Sequence, residues 1–445
     1  ALASGRNTTP GVFFGAGSLL LVAALAAAGA GLGRLAQEAG AARLTLRGLG
    51  VRGCGRRRKR SLASIALLAC GSFVILAVGV FRLDARRDAT RRDSGTGGFA
   101  LIGESTMPIV QDLNAKTGRE FYGLDDGQLA GVSMVPLRVR DGDAANCLNL
   151  NRAQKPRLLG VKPDLLAGRF TFAKVAEGLD RRQGWGILTA DGIRREKAPT
   201  GNSALPAEVP AIGDANSIQW ALGKKIGDTI DYTDELGRTF RLRLVGAVAN
   251  SILQGSLLID EAEFTRRFPG ESGYRMLLID APTNAVSHVS AALSHALQDD
   301  GLELAPAARR LNEFNAVQNT YLGTFQVLGG LGLLLGSAGL GVVVLRNVLE
   351  RRGELGLLLA VGFRRRQLQR LVLTEHGALL GVGLGLGVVA AAVAVLPALL
   401  SPGTHLPYGW LALTLAAVLL NGLLWTSLAT AWALRGNLLS ALRND

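Results

Sequence analysis

The sequence of 445 residues contains little cysteine and few aromatic residues. Its three cysteines, Cys54, Cys70 and Cys147, form no CxxC pair and are too few and too scattered for a disulfide framework. Aromatic residues make up 5% of the chain, whereas glycine occurs 58 times, a composition that favours close helix–helix approach in lipid. A small secreted domain held together by disulfides is therefore excluded.

Sequence motifs that carry chemistry are also missing. No GxxxxGK followed by Ser or Thr, no HExxH and no GxSxG occurs, so neither a P-loop nor a hydrolase motif is predicted. His288 and His295 share one face of a predicted helix, but no third metal ligand lies near them in the sequence. We predict no catalytic residue, no metal site and no cofactor in this chain.

Positive charge is present in excess, with a formal net charge of +14. The basic residues concentrate beside apolar runs, at 56–60 and again at 364–370. Such placement marks the cytoplasmic ends of membrane spans, whereas a bare basic run is a weak signal for nucleic-acid binding. Membrane lipids are therefore the expected partners, and no nucleic acid is expected.

Five apolar runs are long enough to cross a bilayer, which takes about 20 apolar residues. The predicted spans are 11–33, 62–81, 325–345, 377–400 and 410–433. The basic loop 34–61 is assigned to the cytoplasm, which places region 82–324 outside it and loop 346–376 inside it. The predicted fold class is a membrane protein, with an α-helical transmembrane bundle and a large α+β extracytoplasmic domain.

Within region 82–324, periods of two and of 3.6 alternate, as expected of an α+β domain. The predicted elements are a hairpin at 229–248, strands at 256–259 and 275–279, a helix N-capped by Asp260, a helix at 107–116 and an amphipathic helix at 285–297. The stretch 146–210 is rich in glycine, proline and polar residues, and it is interpreted as loops at a subdomain boundary.

Small residues spaced four apart in two of the spans predict close helix packing. The pairs are Gly332 with Gly336, Gly381 with Gly385, and Gly383 with Gly387. Glycine is common in membrane helices in any case, so ordinary composition accounts for the spacing equally well. Both interpretations stay open at the level of the sequence.

The loop 346–376 combines many arginines with an apolar strip between Leu355 and Val361. This pattern predicts a short amphipathic helix at the membrane face. Such a helix can dock into a groove on a partner and pass motion to the two adjoining spans. Glu375 lies where the loop meets the next span, and we expect it to pair with an arginine of the loop.

The residues 350–356, ERRGELG, followed by Ala360-Val-Gly362, resemble the first cytoplasmic loop of FtsX-like permeases, the MacB type of ABC transporter membrane subunit. In that family a long extracytoplasmic domain lies between one span and three more, as it would here from residue 62 onward. Residues 214–248 also resemble the family's periplasmic core. The resemblance implies that domain 82–324 is of the MacB periplasmic-core type.

The resemblance further implies that this loop couples the chain to a separate ABC ATPase subunit, in a bacterial inner membrane. The residues implied are Glu350, Arg351, Arg352 and Glu354 as polar contacts, and Gly356, Ala360 and Gly362 as points of close approach. Ordinary positive-inside anchoring is the competing interpretation of this loop.

The span 11–33 departs from the plain MacB pattern. The resemblance implies that it ends a preceding repeat, so that the chain would be the C-terminal part of a double-repeat permease. A second permease unit, either another copy or an intrachain repeat, is therefore an expected partner. Two functions stay open: ATP-driven export of a lipophilic or lipoprotein-like cargo, and a signalling scaffold whose outer domain activates a cell-wall hydrolase.

Overall fold

The computed structural model describes residues 10–37, 45–80, 85, 88–142, 155–189, 208–396 and 408–434. The chain divides into two compact units. The first, called here the helical unit, combines Ala1–Arg82 with Gln318–Asp445. The second, called the sheet domain, is Leu83–Val317.

The described helices are, in chain order, α1 (Pro10–Gln37), α2 (Leu46–Arg56), α3 (Arg58–Gly79), α4 (Lys116–Phe121), α5 (Glu261–Arg267), α6 (Val286–Ala296), α7 (Ala307–Glu350), α8 (Arg352–Ala360), α9 (Arg365–Ala394) and α10 (Tyr408–Leu434). Helices α1, α3, α7, α9 and α10 are long and apolar enough to cross a membrane. Each overlaps one of the five predicted spans, and α9 begins at Arg365, inside the predicted loop 346–376. Helix α7 is longer than its predicted span because it begins at Ala307 and ends at Glu350.

Helices α3 and α9 pack closely where α9 carries glycine. A methyl group added at Gly383 would lie 3.0 Å from the carbonyl oxygen of Ile65, and one added at Gly387 would lie 2.6 Å from that of Ala69. Side chains larger than hydrogen would therefore force the two backbones apart. This pair of glycines provides the close approach that the spacing suggested.

The other predicted glycines behave differently. A methyl group added at Gly332, Gly381 or Gly385 would meet no atom within 4 Å, so these three make no close helix contact within the described chain, in contrast to the prediction. At 3.6 residues per turn, positions two apart lie on nearly opposite sides of a helix, which separates Gly381 from Gly383. The side-chain surroundings of Gly336 lie outside what the structure describes.

The sheet domain is built on a mixed sheet. Its described strands are β1 (Leu101–Ile109), β2 (Ser133–Arg140), β3 (Arg157–Val161), β4 (Phe172–Val175), β5 (Glu208–Asp214), β6 (Thr229–Thr233), β7 (Thr239–Val248), β8 (Ser256–Asp260), β9 (Tyr274–Asp280) and β10 (Glu303–Pro306). Their order is β10-β1-β9-β2-β3-β8-β5-β7-β4, and β6 pairs with β7. The pairs β3/β8 and β5/β7 are parallel, and the other pairs are antiparallel.

Several local predictions for this domain are confirmed. Strands β6 and β7 form the predicted antiparallel hairpin. The side chain of Asp260 accepts a hydrogen bond from the backbone N–H of Ala262 at 2.8 Å and so caps α5. Helix α6 buries Val289 and Leu293 in the same apolar cluster as residues of β1, β2 and β9. These signals are local in sequence, which is why they could be read without the fold.

Two other predictions are wrong. Residues 107–109 belong to β1 and not to a helix, because the N–H groups of Thr106 and Met107 donate to the carbonyl oxygen of Asp300, a distant partner. The stretch 146–210 contains β3 and the beginning of β5, which are internal strands of the sheet and not loops. Strand β3 is apolar on both faces and lacks the alternation that reveals a half-buried strand. Residues 146–154 and 190–207 lie outside the described residues.

Candidate coupling site

The short helix α8 lies in the chain between α7 and α9, and its C-terminal end is sharply defined. The N–H of Phe363 donates to the carbonyl of Leu358, and the N–H of Gly362 donates to that of Leu359, both at 3.0 Å. This is the Schellman arrangement, which requires a left-handed residue after the helix. Gly362 provides it with φ of +105°, so its role here is to end the helix rather than to allow close approach.

One face of α8 is buried in the helical unit. Leu355 packs with Val344, Val348, Leu368 and others in a single apolar cluster, and Gly356 is also buried. The opposite face carries apolar side chains that face away from the helical unit. Leu357 is 59% exposed and Val361 is 72% exposed, with the exposed Ala360 beside them. We call these three residues the α8 stripe.

Glu350, at the end of α7, is surrounded by guanidinium groups. Arg57 forms an ion pair with it, Arg60 pairs with it at 3.1 Å, and Arg346 pairs with it at 2.8 Å. Arg57 and Arg60 also donate to the side-chain oxygen of Asn347, at 2.9 and 3.0 Å. The end of α7 is thereby bonded to Arg57, which lies between α2 and α3, and to Arg60 in the first turn of α3.

A second group of charges connects α2, α8 and α9. Glu354 pairs with Arg56 at 2.8 Å and with Arg351 at 3.1 Å, and Arg351 pairs in turn with Glu375 of α9 at 2.9 Å. The expected pairing of Glu375 with an arginine of loop 346–376 is confirmed. Partial burial favours a higher pKa for Glu354, but the hydrogen bond and charge of Arg351 and the charge of Arg56 outweigh it and lower that pKa. Glu354 is therefore held as a carboxylate.

Helix α2 is a part of this site that the sequence interpretation missed, since segment 34–61 was read as a basic loop. Thr45 caps α2 by accepting from the N–H of Gly48 at 3.1 Å. Gly50 and Gly53 face α9 closely: a methyl group at Gly53 would lie 2.8 Å from a carboxylate oxygen of Glu375. The thiol of Cys54 lies 3.3 Å from the carbonyl oxygen of Glu375. The repeated glycines of this segment were the signal that could have revealed a packed helix.

The predicted coupling residues are thus divided by the structure. Glu350, Arg351 and Glu354 are bonded within the chain, Gly356 is buried, Gly362 ends the helix, and Ala360 is exposed on the α8 stripe. The surroundings of the Arg352 side chain lie outside what the structure describes. The paired charges and the exposed α8 stripe suit this arrangement to binding a partner and transmitting force.

Asp214 is the other group whose environment suggested chemistry, and it lies fully buried at the end of β5. One oxygen accepts from the N–H and the hydroxyl of Ser251, at 2.6 and 3.0 Å, and the other accepts from the N–H of Asn216 at 2.9 Å. Burial raises its pKa to about 6, against the lowering effect of these hydrogen bonds. Its bonds fasten the Ser251 turn to β5, so we assign it a structural role.

The raised pKa of Asp214 makes the stability of the sheet domain depend on pH. Between pH 4 and pH 6 the folded state holds a proton that the unfolded state has released, so the free energy of unfolding falls as pH rises, by about 3 kcal/mol in all. Asp214→Asn should remove this pH dependence of the unfolding free energy. Asp231→Asn, at an exposed position of β6, should leave the pH dependence unchanged. Hydrogen exchange of residues 208–260 across this pH range checks the result; equal slopes in both variants would contradict it.

Comparisons with known proteins agree with this geometry. Residues 327–437 match the family model described as FtsX-like permease C-terminal, and the matched segment includes all of α8, α9 and α10. The macrolide export ATP-binding/permease protein MacB of Azoarcus sp. (strain BH72) is 31% identical over 118 residues. That match covers 25% of this chain and 18% of the relative, so the chain spans less than a fifth of the relative's length.

The five described helices of membrane length, the short helix between two of them and the mixed-sheet domain fit a membrane permease with an α+β outer domain. The family-model match and the similarity to MacB support placing this chain among FtsX-like permeases of the MacB type.

Proposed function

We propose that the chain is the membrane subunit of an ABC-type transporter, in which a separate ATPase drives the movement or export of a lipophilic or lipoprotein-like cargo. It is a multi-pass protein of a bacterial inner membrane, with the sheet domain outside the cytoplasm. A second permease unit completes the transporter. The α8 stripe is the observation that carries this proposal.

The position of α8 in the chain supports a coupling role. It lies between two membrane-length helices, and its buried face shares one apolar cluster with residues of both. A force applied to α8 is therefore transmitted directly to α7 and α9, because packed side chains resist deformation. Exposed apolar side chains on a short helix are suited to a groove on a partner protein.

The charges around α8 support a role different from the one first expected. Since Glu350, Arg351 and Glu354 are already paired, they hold α8 in place relative to α2 and α9. Leu357, Ala360 and Val361 are exposed and therefore available for contact with an ATPase. Reversing the charge of Glu350 or Glu354 would break bonds inside the chain and would not report on partner binding alone.

Sequence and comparison together support ATP hydrolysis as the source of energy. The relative from Azoarcus combines ATP-binding and permease parts, as its printed name states. The present 445 residues contain no P-loop motif, which supports placing the ATPase on a separate subunit.

The experiment is a pull-down of the tagged chain from membranes of the cells that naturally contain it. The ATP hydrolysis activity that co-purifies with the chain is measured. The double variant Leu357→Asp, Val361→Asp should lower that activity about tenfold or more, since charged side chains cannot enter an apolar groove. Both positions are exposed, so the fold should be kept.

The matched control is Leu236→Asp, at an equally exposed leucine of the sheet domain. It should retain wild-type ATPase activity in the pull-down. If the α8 double variant and the control retain the same activity, α8 is not the docking helix and the proposal is rejected.

A further inference from the structure

An apolar groove runs between α3 and α7 in the helical unit and encloses about 440 Å³. Ser64 and Leu67 of α3 form one wall, and Gly332, Leu335 and Gly339 of α7 form the other. Leu67 is 45% exposed and Leu335 is 74% exposed, while the two glycines leave open space beside them. The groove is thus unfilled by the described side chains of this chain.

The groove has defined ends. A methyl group added at Gly329 would lie 3.2 Å from Ile75, so α3 and α7 come together beyond one end. Arg60 lines the other end. The lining of α7 from Gly332 to Val343 corresponds to about 16 Å of helix, at 1.5 Å per residue. This is about half of a bilayer core that measures about 30 Å, and therefore the depth of one leaflet.

The end of the groove at Arg60 carries an excess of positive charge. Arg57, Arg60 and Arg346 form their ion pairs with the single carboxylate of Glu350, in the part of the chain that the structure describes. Three guanidinium groups against one carboxylate leave two positive charges in excess. All four side chains are at least three-tenths exposed, so an anion can approach them.

We propose that this groove binds one anionic phospholipid from the leaflet on the basic side of the membrane. An acyl chain lies along Leu67, Gly332, Leu335 and Gly339, and the headgroup phosphate contacts Arg60 and its neighbouring arginines. Guanidinium groups bind phosphate through charge-assisted hydrogen bonds, and basic pockets between spanning helices are suited to such headgroups. A bound lipid would contact α3 and α7, the helices that Glu350 joins through Arg60.

The test is native mass spectrometry of the full chain in detergent, with added phosphatidylglycerol or phosphatidylcholine of the same acyl chains. The wild type should retain one phosphatidylglycerol and release phosphatidylcholine. Arg60→Gln removes a headgroup contact, and Gly339→Leu fills the groove where no atom stands in the way. Each should weaken phosphatidylglycerol retention about tenfold.

Matched controls separate a built site from general attraction. Arg366→Gln removes an exposed charge elsewhere, and Gly330→Leu adds a side chain to α7 outside the groove, so both should retain lipid as the wild type does. An equal loss in Arg60→Gln and Arg366→Gln, or unchanged retention in Gly339→Leu, would overturn the proposal. If Gly339→Leu dissociates a dimer of this chain while lipid retention is unchanged, the groove holds a second copy of the chain. That result would also overturn the proposal.

Discussion

Gly387→Val should destabilise the helical unit by about 3 kcal/mol, the upper part of the usual range for overpacking a tight contact. The added side chain would run into the hydroxyl of Ser72 and would approach the carbonyl oxygen of Ala69 to 2.6 Å. That carbonyl belongs to a regular helix and cannot rotate away, so α3 and α9 must separate. The measurement is the temperature at which half of the monodisperse protein in detergent is lost on heating. This temperature should be lower for the variant than for the wild type.

Gly385→Val is the matched control for this prediction. It makes the same substitution in the same helix, but the added side chain meets open space. Because valine has a somewhat better helix propensity than glycine, this variant should be as stable as the wild type or slightly more so. Equal destabilisation by the two substitutions would mean that helix propensity or insertion, and not the contact with α3, decides the outcome.

Glu375→Gln should lower the free energy of unfolding by about 3 kcal/mol, because it leaves Arg351 without the charge of its most buried partner. The two side chains are 11% and 20% exposed and lie 2.9 Å apart, so water can compensate only in part. The nearly equal shape of glutamine isolates the loss of charge from any loss of packing. Unfolding in denaturant, followed by hydrogen exchange of residues 346–376, measures the effect.

A double-mutant cycle identifies the partner. Arg351→Gln combined with Glu375→Gln should destabilise less than the sum of the two single changes, since each single variant removes the same ion pair and leaves one of its charges without the other. Glu313→Gln, which removes a carboxylate from an exposed pair with Arg309 on α7, should change stability by less than about 1 kcal/mol. If the effects of Arg351→Gln and Glu375→Gln are strictly additive, the ion pair between these two side chains contributes nothing to stability.

The sequence predicted the membrane-length helices well because each is a continuous apolar run, and length alone identifies such a run. It also predicted the hairpin β6/β7 and the cap at Asp260, where the partners are near neighbours in the chain. It did not predict that β3 and β5 are internal strands, because their partners β8 and β7 are distant and parallel pairing leaves no alternation in the sequence.

The candidate site shows the same division. The sequence predicted the pairing of Glu375, since a charge at the edge of a span needs a partner. Arg57 and Arg60, two of the partners of Glu350, come from a segment about 290 residues earlier, and no local pattern links that segment to Glu350. Basic residues that satisfy the positive-inside pattern therefore also form specific ion pairs, and Arg56, Arg57 and Arg60 do so here.

By itself the sequence determined that the chain has five apolar helices, a mixed domain between the second and third, and a short amphipathic helix between the third and fourth. These properties depend on composition and on spacing within one segment. Tertiary structure alone decided which glycines lie at helix contacts, which charges pair and which apolar side chains of α8 remain exposed. Each of these depends on how one helix is rotated against another. Packing between distant segments determines that rotation, and residue spacing within one helix does not.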